Sequence, residues 1–316
     1  ATLDYLSDEI HVLFGTPGAY GIVSTSLTEK SGINQFLDGF LKQENTRIRK
    51  DSINFPERSK EPKKRETLIE IPELEKTLGD FTLKTEEGYL KKGEVLGIVG
   101  RNALGKTTLA KIIAGKLEPD EGEIENLSLS YKPQYISPDF SGTVRELLSK
   151  HADIYSQDYK TKIIGPFDLE DLLDQKVGNL SPGELQRVAV ALCLSRDAEV
   201  YLLDEPTAFL DVEKRVEFAK NLRRFMEREE KTGIIIDHDL LLLDFIADRA
   251  MVFDGKPGKE GIAKTPQPLK EGINTFLKDV EITFRRDPTT GRPRANKRGS
   301  QKDKEQKEKG VFYCPS

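Results

Sequence analysis

The stretch GRNALGKTT, residues 100–108, is a glycine-rich segment that ends in a lysine and two threonines. It follows the strand-like segment EVLGIV at 94–99 and precedes the apolar helical pattern LAKIIAGKL at 109–117. The pattern G-x-x-x-x-G-K-T between a strand and a helix is typical of a loop that binds phosphate groups. The stretch therefore predicts an α/β fold with a nucleotide phosphate site at the end of a buried strand.

Each residue type in this loop has a chemical reason. Gly100 and Gly105 let the backbone curl so that its N–H groups point at β-phosphate oxygens, and the helix N-terminus adds its positive end. Lys106 supplies a positive charge for the β- and γ-phosphates, and Thr107 supplies a hydroxyl group for Mg²⁺. The other predicted nucleotide contacts of the loop are Asn102 and Thr108. The loop therefore predicts that the chain binds ATP together with Mg²⁺.

A second segment, AEVYLLDEPT at 198–207, ends an apolar run with paired carboxylates. Such a run is typical of a buried parallel strand, which delivers the residues after it to the carboxyl edge of its sheet. Asp204 is predicted to orient Mg²⁺ through its water shell, and Glu205 to act as general base on the attacking water. An Asp-Glu pair is common at strand ends, but the preceding phosphate loop makes ATP hydrolysis the favoured interpretation.

Composition excludes several classes of protein. The chain has 316 residues, 49 basic and 54 acidic, and a net charge of −5. This net negative charge does not favour binding of a polyanion by the chain as a whole. Cys193 and Cys314 lie far apart and support neither a disulfide framework nor a cysteine metal site. No apolar run approaches membrane-spanning length and no signal peptide is visible, so we expect a cytoplasmic protein without a membrane partner.

The sequence contains a repeat at an offset of 240 residues. LDYLSDEIHVLFGTPGAYGI from Leu3 matches LDFIADRAMVFDGKPGKEGI from Leu243, and GINQFL at Gly32 matches GINTFL at Gly272, with about sixteen identities over about 35 positions. The second copy follows the segment around His238, so we expect the first copy to follow a similar core that precedes this sequence. The alternative is a coincidental likeness of one helix and strand pair.

Two charged segments flank the central part. Residues 44–66, ENTRIRKDSINFPERSKEPKKRE, have two prolines and no clean apolar period, which is typical of a linker. Residues 283–310 interleave basic residues with Pro, Gly, Asn and Ser, and we expect them to be too polar to pack as a helix. Their basic side chains are candidates for contacts with RNA phosphates, or else for ion pairs with acidic residues of the linker: Arg285, Arg286, Arg292, Arg294, Lys297 and Arg298.

Residues 180–211, LSPGELQRVAVALCLSRDAEVYLLDEPTAFLD, contain a serine-led loop, a helix and the buried strand in unbroken order. Here the chain resembles the ATP-binding-cassette (ABC) ATPases. The resemblance implies an α/β P-loop NTPase fold of the ABC type, with an antiparallel β subdomain and a helical subdomain that carries the signature loop. It also implies that Ser181, Gly183 and Glu184 offer donors to the γ-phosphate of an ATP held by an opposite domain. Pro182 replaces a second glycine of the family and removes one N–H.

Further positions match motifs of this family. Gln134 in SYKPQYI matches the Q-loop glutamine, and His238 in GIIIDHDL matches the switch histidine that contacts the γ-phosphate. Asp211 matches the D-loop residue that communicates across the dimer. Phe81 lies where the family stacks an aromatic ring on adenine, with Tyr89 as a second candidate. Structural roles are the alternatives, core packing for Phe81 and a fold contact for His238.

The resemblance implies a composite site. Its catalytic residues are Glu205, His238 and Gln134, and its metal-binding residues are Thr107, Gln134 and Asp204. Because the phosphate loop and the base come from one domain and the signature loop from another, ATP binding closes the pair and hydrolysis reopens it. One such domain alone is therefore expected to be a slow ATPase.

The repeated GIN-x-FL segments and the tail ITFRRDPTTGRPRANKRGS, residues 282–300, resemble the ABCE family of ribosome-recycling ATPases, also called RNase L inhibitors. In that family two cassettes are joined by hinge segments that match 32–58 and 272–300, behind an N-terminal iron–sulfur domain. Iron–sulfur clusters are expected only in that missing part of the parent protein. The implied domains are the end of a first cassette plus hinge at 1–43, a charged linker at 44–66, a second cassette at 67–271, and a C-terminal hinge with a basic tail at 272–316.

The resemblance implies ATP-driven dissociation of ribosomal subunits. The implied partners are the first ABC domain of the same parent chain, the small ribosomal subunit with its rRNA at the basic hinge, and a termination or rescue release factor. The alternative is a nucleotide-binding subunit of an ABC transporter, which shares every nucleotide-site residue and differs only in its flanks. A non-catalytic tandem scaffold would have a defective base or phosphate lysine, whereas Glu205 and Lys106 are both intact.

Overall fold

The computed structural model describes residues 6–16, 19–53, 66–125, 127–134, 139–288 and 290–314. The strands in this part are β1 Glu9–Ile10, β2 Leu13–Thr16, β3 Tyr20–Val23, β4 Leu27–Thr28, β5 Phe40–Leu41, β6 Thr46–Arg47, β7 Thr67–Ile71, β8 Glu75–Leu78, β9 Phe81–Thr85, β10 Gly88–Lys91, β11 Val95–Val99, β12 Leu129–Lys132, β13 Val200–Asp204, β14 Thr232–Ile236, β15 Arg249–Lys256, β16 Glu260–Ala263, β17 Gln267–Pro268, β18 Phe284–Arg286, β19 Pro293–Ala295 and β20 Tyr313–Cys314. The α-helices are α1 Glu29–Asp38, α2 Lys106–Ile113, α3 Val144–Ser149, α4 Gln157–Tyr159, α5 Pro182–Leu194, α6 Val212–Arg228, α7 Leu240–Ile246, α8 Leu269–Asp279 and α9 Gln301–Glu308. A π-helix at Lys160–Ile164 and 3-10 helices at Glu170–Leu172 and Val177–Asn179 lie between α4 and α5.

The chain divides into two compact units. The central unit comprises residues 62–276, and the terminal unit comprises residues 1–61 together with 277–316. Residues 1–5, 17–18 and 54–65, which belong to the predicted first-cassette remnant and linker, lie outside the described residues. Residues 315–316 at the end of the predicted tail also lie outside them.

The central unit is built on a sheet whose strands run in the order β12-β13-β14-β11-β15-β16-β9-β8. The strands from β12 to β15 are all parallel. Every residue of β11, β13 and β14 is buried, as expected for parallel strands covered on both faces. Alternation along β11 places Val95 and Val99 in one hydrophobic cluster and Leu96 and Ile98 in the other.

Both predicted subdomains are present in the central unit. Antiparallel pairing of β7 with β10 and of β8 with β9 forms the β subdomain next to β16. Between β12 and β13, helices α3 to α5 and short turns pack Val144, Leu148, Ile163 and Val188 into the larger cluster. The prediction of an α/β fold with an antiparallel β subdomain and a helical subdomain is therefore confirmed.

The terminal unit combines the two ends of the chain. Helix α1 ends at Gly39, which adopts φ 77° and donates its N–H to the Gln35 carbonyl. Residues 44–53 of the predicted linker belong to this unit, because β6 pairs with β5 and the Ile53 N–H bonds to the Leu37 carbonyl. At the other end of the chain, β19, β18 and β20 form a small sheet.

The prediction that residues 283–310 are too polar to pack as a helix was wrong. Helix α9 forms there because the Ser300 side chain accepts the Asp303 N–H at its start. Asp303 is buried, accepts a hydrogen bond from Thr283 Oγ1 at 2.7 Å and pairs with Lys307 at 3.0 Å. Capping and an i,i+4 pair therefore compensate for the missing apolar face. No helix in the described part of the chain is long and apolar enough to span a bilayer.

Candidate functional site

The phosphate loop lies at the carboxyl end of β11. Helix α2 begins directly after Gly105, whose φ of 91° is in the region that favours glycine. A Cβ atom at Gly105 would lie 2.9 Å from Cζ of Phe81, so the backbone passes close to that ring. Strands β13 and β14 end at the same edge of the sheet, which places the residues that follow them beside the loop.

Lys106 is folded back onto the loop. Its Nζ donates to the carbonyl oxygens of Gly100 at 2.8 Å and Arg101 at 2.7 Å. Burial lowers the pKa of Lys106 to about 8, against the opposing attraction of Glu205 and Asp204. A phosphate group would restore the charged form of this amine, because an anion nearby favours the cation.

Asp204 and Thr107 form a pair suited to a divalent cation. The Thr107 hydroxyl donates to Asp204 Oδ2 at 2.9 Å, and burial raises the pKa of Asp204. Within the described residues, Asp204 Oδ1 is buried and has no hydrogen-bond partner. Mg²⁺ prefers carboxylate and hydroxyl oxygens, and its charge would compensate for this burial. The residues present therefore fit Mg²⁺.

Glu205 and His238 face each other across the ends of β13 and β14. His238 Nε2 lies 3.1 Å from Glu205 Oε1. Glu205 has a φ of 47°, which is uncommon for a residue with a side chain. Its N–H donates to the Ile236 carbonyl at 2.7 Å. The predicted base and switch histidine are thus in direct contact.

The other predicted residues near the loop differ in their burial and in their contacts. Gln134 is half-buried at a bend two residues after β12, the strand beside β13. Phe81 packs against the core and also borders Gly105, so its two interpretations are compatible. The Arg249 guanidinium lies 4.4 Å from the centroid of the Tyr89 ring, which gives Tyr89 a structural contact. Asn102 is exposed, and Thr108 is half-buried in the first turn of α2.

The signature segment begins α5. Ser181 and Glu184 form a capping box, in which the Ser181 hydroxyl contacts Glu184 Oε2 at 2.7 Å. Pro182 occupies the first helical position, where no intrahelical N–H bond is lost. Gly183 lies close to the Phe209 carbonyl, and Asp211 caps α6 by accepting the Lys214 N–H at 2.9 Å. In the described structure, the side chains of Ser181, Glu184 and Asp211 form hydrogen bonds at the starts of their own helices.

Sequence reasoning missed three buried polar residues around this site. Lys132 Nζ donates to the carbonyls of Asp204 at 2.8 Å and Glu205 at 3.2 Å, and burial lowers its pKa to about 8. Gln186 Nε2 donates to the Glu205 carbonyl at 2.6 Å. Asp237, whose pKa burial raises, accepts the Thr207 hydroxyl at 2.7 Å. The available signals were a lysine at the end of the strand-like segment before Gln134 and an aspartate directly after the apolar run of β14.

Comparison with known proteins places this site in a family. The family described as ABC transporter matches residues 83–208. An uncharacterized ABC transporter ATP-binding protein of Methanocaldococcus jannaschii is 53% identical over 315 residues, which cover 98% of this chain and 52% of that protein. ABC transporter E family member 3 of Arabidopsis thaliana is 39% identical over 172 residues, 52% of this chain and 95% of that protein.

Solved structures agree with these relatives. A complex of an archaeal ribosomal stalk protein with the archaeal ribosome recycling factor aABCE1 matches with a TM-score of 0.91 and 54% identity, over 99% of this chain and 61% of the matched chain. A model of ribosome-bound archaeal Pelota and ABCE1 matches with a TM-score of 0.94 and 52% identity, over 99% and 54%. The chain spans about half the length of the M. jannaschii relative. It belongs to the E family of ABC ATPases, the RNase L inhibitor family, whose ATPase domain uses ATP and Mg²⁺.

Proposed function

We propose that this chain is the ATP-hydrolysing second half of a tandem ABC protein that separates ribosomal subunits. The observation that carries the proposal is the convergence of Lys106, Asp204, Glu205 and His238 at one edge of the central sheet. A binding site for phosphate, a metal-binding pair and a base with its histidine partner are the elements that ATP hydrolysis requires. In this proposal the opposite domain of each composite site is the first cassette of the same parent protein.

The residues of the site have separate tasks in this proposal. Lys106 exchanges the Gly100 and Arg101 carbonyls for oxygens of the β- and γ-phosphates. Thr107, Asp204 and Gln134 would hold Mg²⁺, which when bound neutralises negative charge on the phosphates. The phosphates are surrounded by Gly100, Asn102, Gly105 and Thr108. The ring of Phe81 lies beside the adenine ring of ATP.

Glu205 is the proposed general base. Its carboxylate accepts a proton from the attacking water, while His238, 3.1 Å away, orients that carboxylate and reaches toward the γ-phosphate. Ser181, Gly183 and Glu184 serve the ATP of the opposite cassette, and Asp211 lies at the interface. The second cassette alone supplies half of each composite site, so its turnover in isolation should be slow and should rise with protein concentration.

The ribosomal role is proposed from the relatives. Two matched structures are described as complexes of ABCE1 with a ribosomal stalk protein and with Pelota on the ribosome, so a release factor of this kind is the expected partner. Such a protein would work in the cytoplasm.

The basic residues of the tail differ in how accessible they are to RNA. Arg292 and Arg294 are buried, and Arg294 pairs with Glu29. Lys297 and Arg298 are exposed. Lys297 pairs with Asp8 at 2.8 Å, and Arg298 pairs with Glu281 at 3.5 Å.

Lys297 borders a cavity of about 350 Å³ that is lined by Arg285, Arg294 and Lys302. We therefore propose that the rim of this cavity, rather than the whole basic tail, meets RNA phosphates.

Co-sedimentation with small ribosomal subunits tests the proposal. The full-length tandem protein, loaded with a non-hydrolysable ATP analogue, should sediment with the subunits, and with ADP it should do so less. Lys106→Ala in the second cassette should weaken the response to the analogue, whereas Thr143→Ala, a cap replacement at the start of α3, should leave it intact. Absence of ribosome binding with every nucleotide, together with recovery of a membrane protein partner, would favour the transporter alternative.

A further inference from the structure

The main chain of Glu205 is held by three separate elements. Its N–H donates to the Ile236 carbonyl at the end of β14, while its carbonyl accepts from Gln186 of α5 and Lys132 of β12. Lys132 also donates to the Asp204 carbonyl at 2.8 Å. The same Glu205 carbonyl also accepts the Ala208 N–H at 3.4 Å, so the backbone polar groups of Glu205 bond within their own turn and to β14, α5 and β12.

Two features make this arrangement unusual for a purely structural contact. Lys132 is 1% exposed and Gln186 is 2% exposed, so an ammonium group is buried among carbonyl groups at a substantial desolvation cost. The residue that they hold has a φ of 47°, a conformation that persists in a side-chain-bearing residue only when its surroundings determine it. In this conformation Glu205 Oε1 lies 3.1 Å from His238 Nε2, so the contacts that hold the main chain also fix the position of the carboxylate.

We infer that Lys132 and Gln186 are positioning residues that hold the Glu205 main chain in its left-handed conformation and so aim the carboxylate at the reacting water. Lys132 lies two residues before Gln134, and Gln186 lies on the helix that begins at Ser181. The Q-loop strand and the signature helix thus both reach the same carbonyl oxygen. A shift of either element would move the base. The inference rests on the proposed role of Glu205.

Steady-state kinetics of the full-length tandem protein, without ribosomes and with the corresponding general base of the first cassette replaced so that turnover reports this site, test the inference. Lys132→Met and Gln186→Met remove the donors and retain the side-chain volume. Each should lower kcat about 10- to 100-fold, the cost of a displacement near 1 Å, while KM and ATP affinity stay near the wild-type values. Ser130→Ala is the matched control, because Ser130 is buried on the same strand and bonds to the Cys193 carbonyl at 2.8 Å. It should alter thermal stability without altering kcat.

A double-mutant cycle separates positioning from general damage. If Lys132 acts through the Glu205 carboxylate, Lys132→Met should cause no further loss of turnover in a Glu205→Gln background. An equal further loss in that background, or a parallel loss of ATP affinity and kcat, would overturn the inference. If Lys132→Met does not fold, Gln186→Met alone decides, and an unchanged kcat in that variant overturns it.

The outcomes also distinguish the inference from the function on which it rests. Undiminished turnover in Glu205→Gln alone would remove the proposed base, and the positioning role with it. A normal base with unaffected Gln186→Met and Lys132→Met variants would remove only the positioning role. Failure to bind ribosomes would leave both ATPase results standing.

Discussion

Arg294 donates two hydrogen bonds to the carboxylate of Glu29, at 2.9 and 2.7 Å, although the residues are 265 positions apart. Both side chains are only 10% exposed. Glu29 begins α1 in the N-terminal part of the terminal unit, and Arg294 lies on β19 in the C-terminal part. Helix α1, which leads into the first segment that resembles a hinge, is therefore joined to the second by a buried ion pair in which Nη2 of Arg294 contacts both oxygens of the Glu29 carboxylate.

Removing one partner of this pair should destabilise the terminal unit. Glu29→Gln should cost about 3 kcal/mol, since it removes a carboxylate charge that lies 2.7 Å from the buried Arg294 guanidinium. Hydrogen exchange of the α1 amides would measure the loss. Lys297→Met, which breaks the exposed pair with Asp8, is the control and should change exchange little. Equal effects of the two variants would contradict the prediction, and a Glu29→Met, Arg294→Met double variant should recover stability.

The parts of the site that were predicted are those encoded by short contiguous segments. The phosphate loop, the Asp204–Glu205 pair and the His238 segment each combine a buried strand with the residues after it. Parallel pairing then brings these strand ends to one edge, so their proximity follows from the fold. The contact between Glu205 and His238 is a consequence of this arrangement.

Contacts between polar residues distant in sequence were not predictable. Lys132 contacts a carbonyl 73 positions later, and no local pattern indicates which carbonyl a buried amine will meet. The Glu29–Arg294 pair is of the same kind. Helix α9 was missed for a different reason, because its stability derives from a cap and from side-chain pairs, which leave no apolar period.

The cap of the signature helix offers a comparison within one molecule. Ser181 and Thr143 both begin helices with a capping box, so Ser181→Ala and Thr143→Ala should each cost about 1 kcal/mol of stability. Only Ser181→Ala should also reduce ATP turnover of the tandem protein, about tenfold or more, because it removes a donor to phosphate. Urea unfolding and kcat would be measured on both variants. Equal turnover in the two would contradict a phosphate contact by Ser181.

Alanine substitutions of the glycines at the two ends of α2 distinguish the effect of backbone strain from that of steric crowding. Gly105 and Gly115 have φ values of 91° and 63°. A Cβ atom added at Gly115 would have no atom within 4 Å, whereas one added at Gly105 would lie 2.9 Å from the Phe81 ring. Alanine at either position should cost about 1–2 kcal/mol of stability from the left-handed conformation. Gly105→Ala must in addition displace the loop or the Phe81 ring, and we expect it to weaken ATP binding strongly in a fluorescent-nucleotide titration. Normal binding by that variant would contradict the assigned loop geometry.

Asp168 should give the helical subdomain a pH-dependent stability. A hydrogen bond from Lys214, at 2.9 Å, lowers the pKa of Asp168, and Arg187 of the signature helix pairs with it at 2.7 Å. A carboxyl with a lowered folded pKa contributes stability above its unfolded pKa, near 3.9, and loses it as pH falls through the folded pKa. Because the carboxylate is half-exposed and screened, Asp168→Asn should cost only about 0.5–1 kcal/mol at pH 7.

The same substitution should cost less near pH 2 than at about pH 7, because protonation of wild-type Asp168 increases as the pH falls through its lowered folded pKa. Asparagine tolerates the φ of 54° at this position, so the backbone is not an added variable. Urea unfolding at the two pH values would measure the difference. Asp197→Asn, at a fully exposed carboxylate that pairs with Lys231, is the control and should change little at either pH. A loss that is independent of pH would assign the effect to packing instead of charge.

Glu205→Gln should stop hydrolysis while retaining ATP. Glutamine keeps the size of the side chain and can still bond to His238, but it cannot accept the proton of the attacking water, so turnover should fall by about 10²- to 10⁴-fold. Since hydrolysis reopens the proposed clamp, the variant of the tandem protein should retain ATP after gel filtration. Glu199→Gln, at an exposed residue just before β13, is the matched control and should neither slow turnover nor trap nucleotide. Unchanged turnover in Glu205→Gln would move the base to another residue, whereas lost turnover without retained ATP would preserve the base and contradict the closed state.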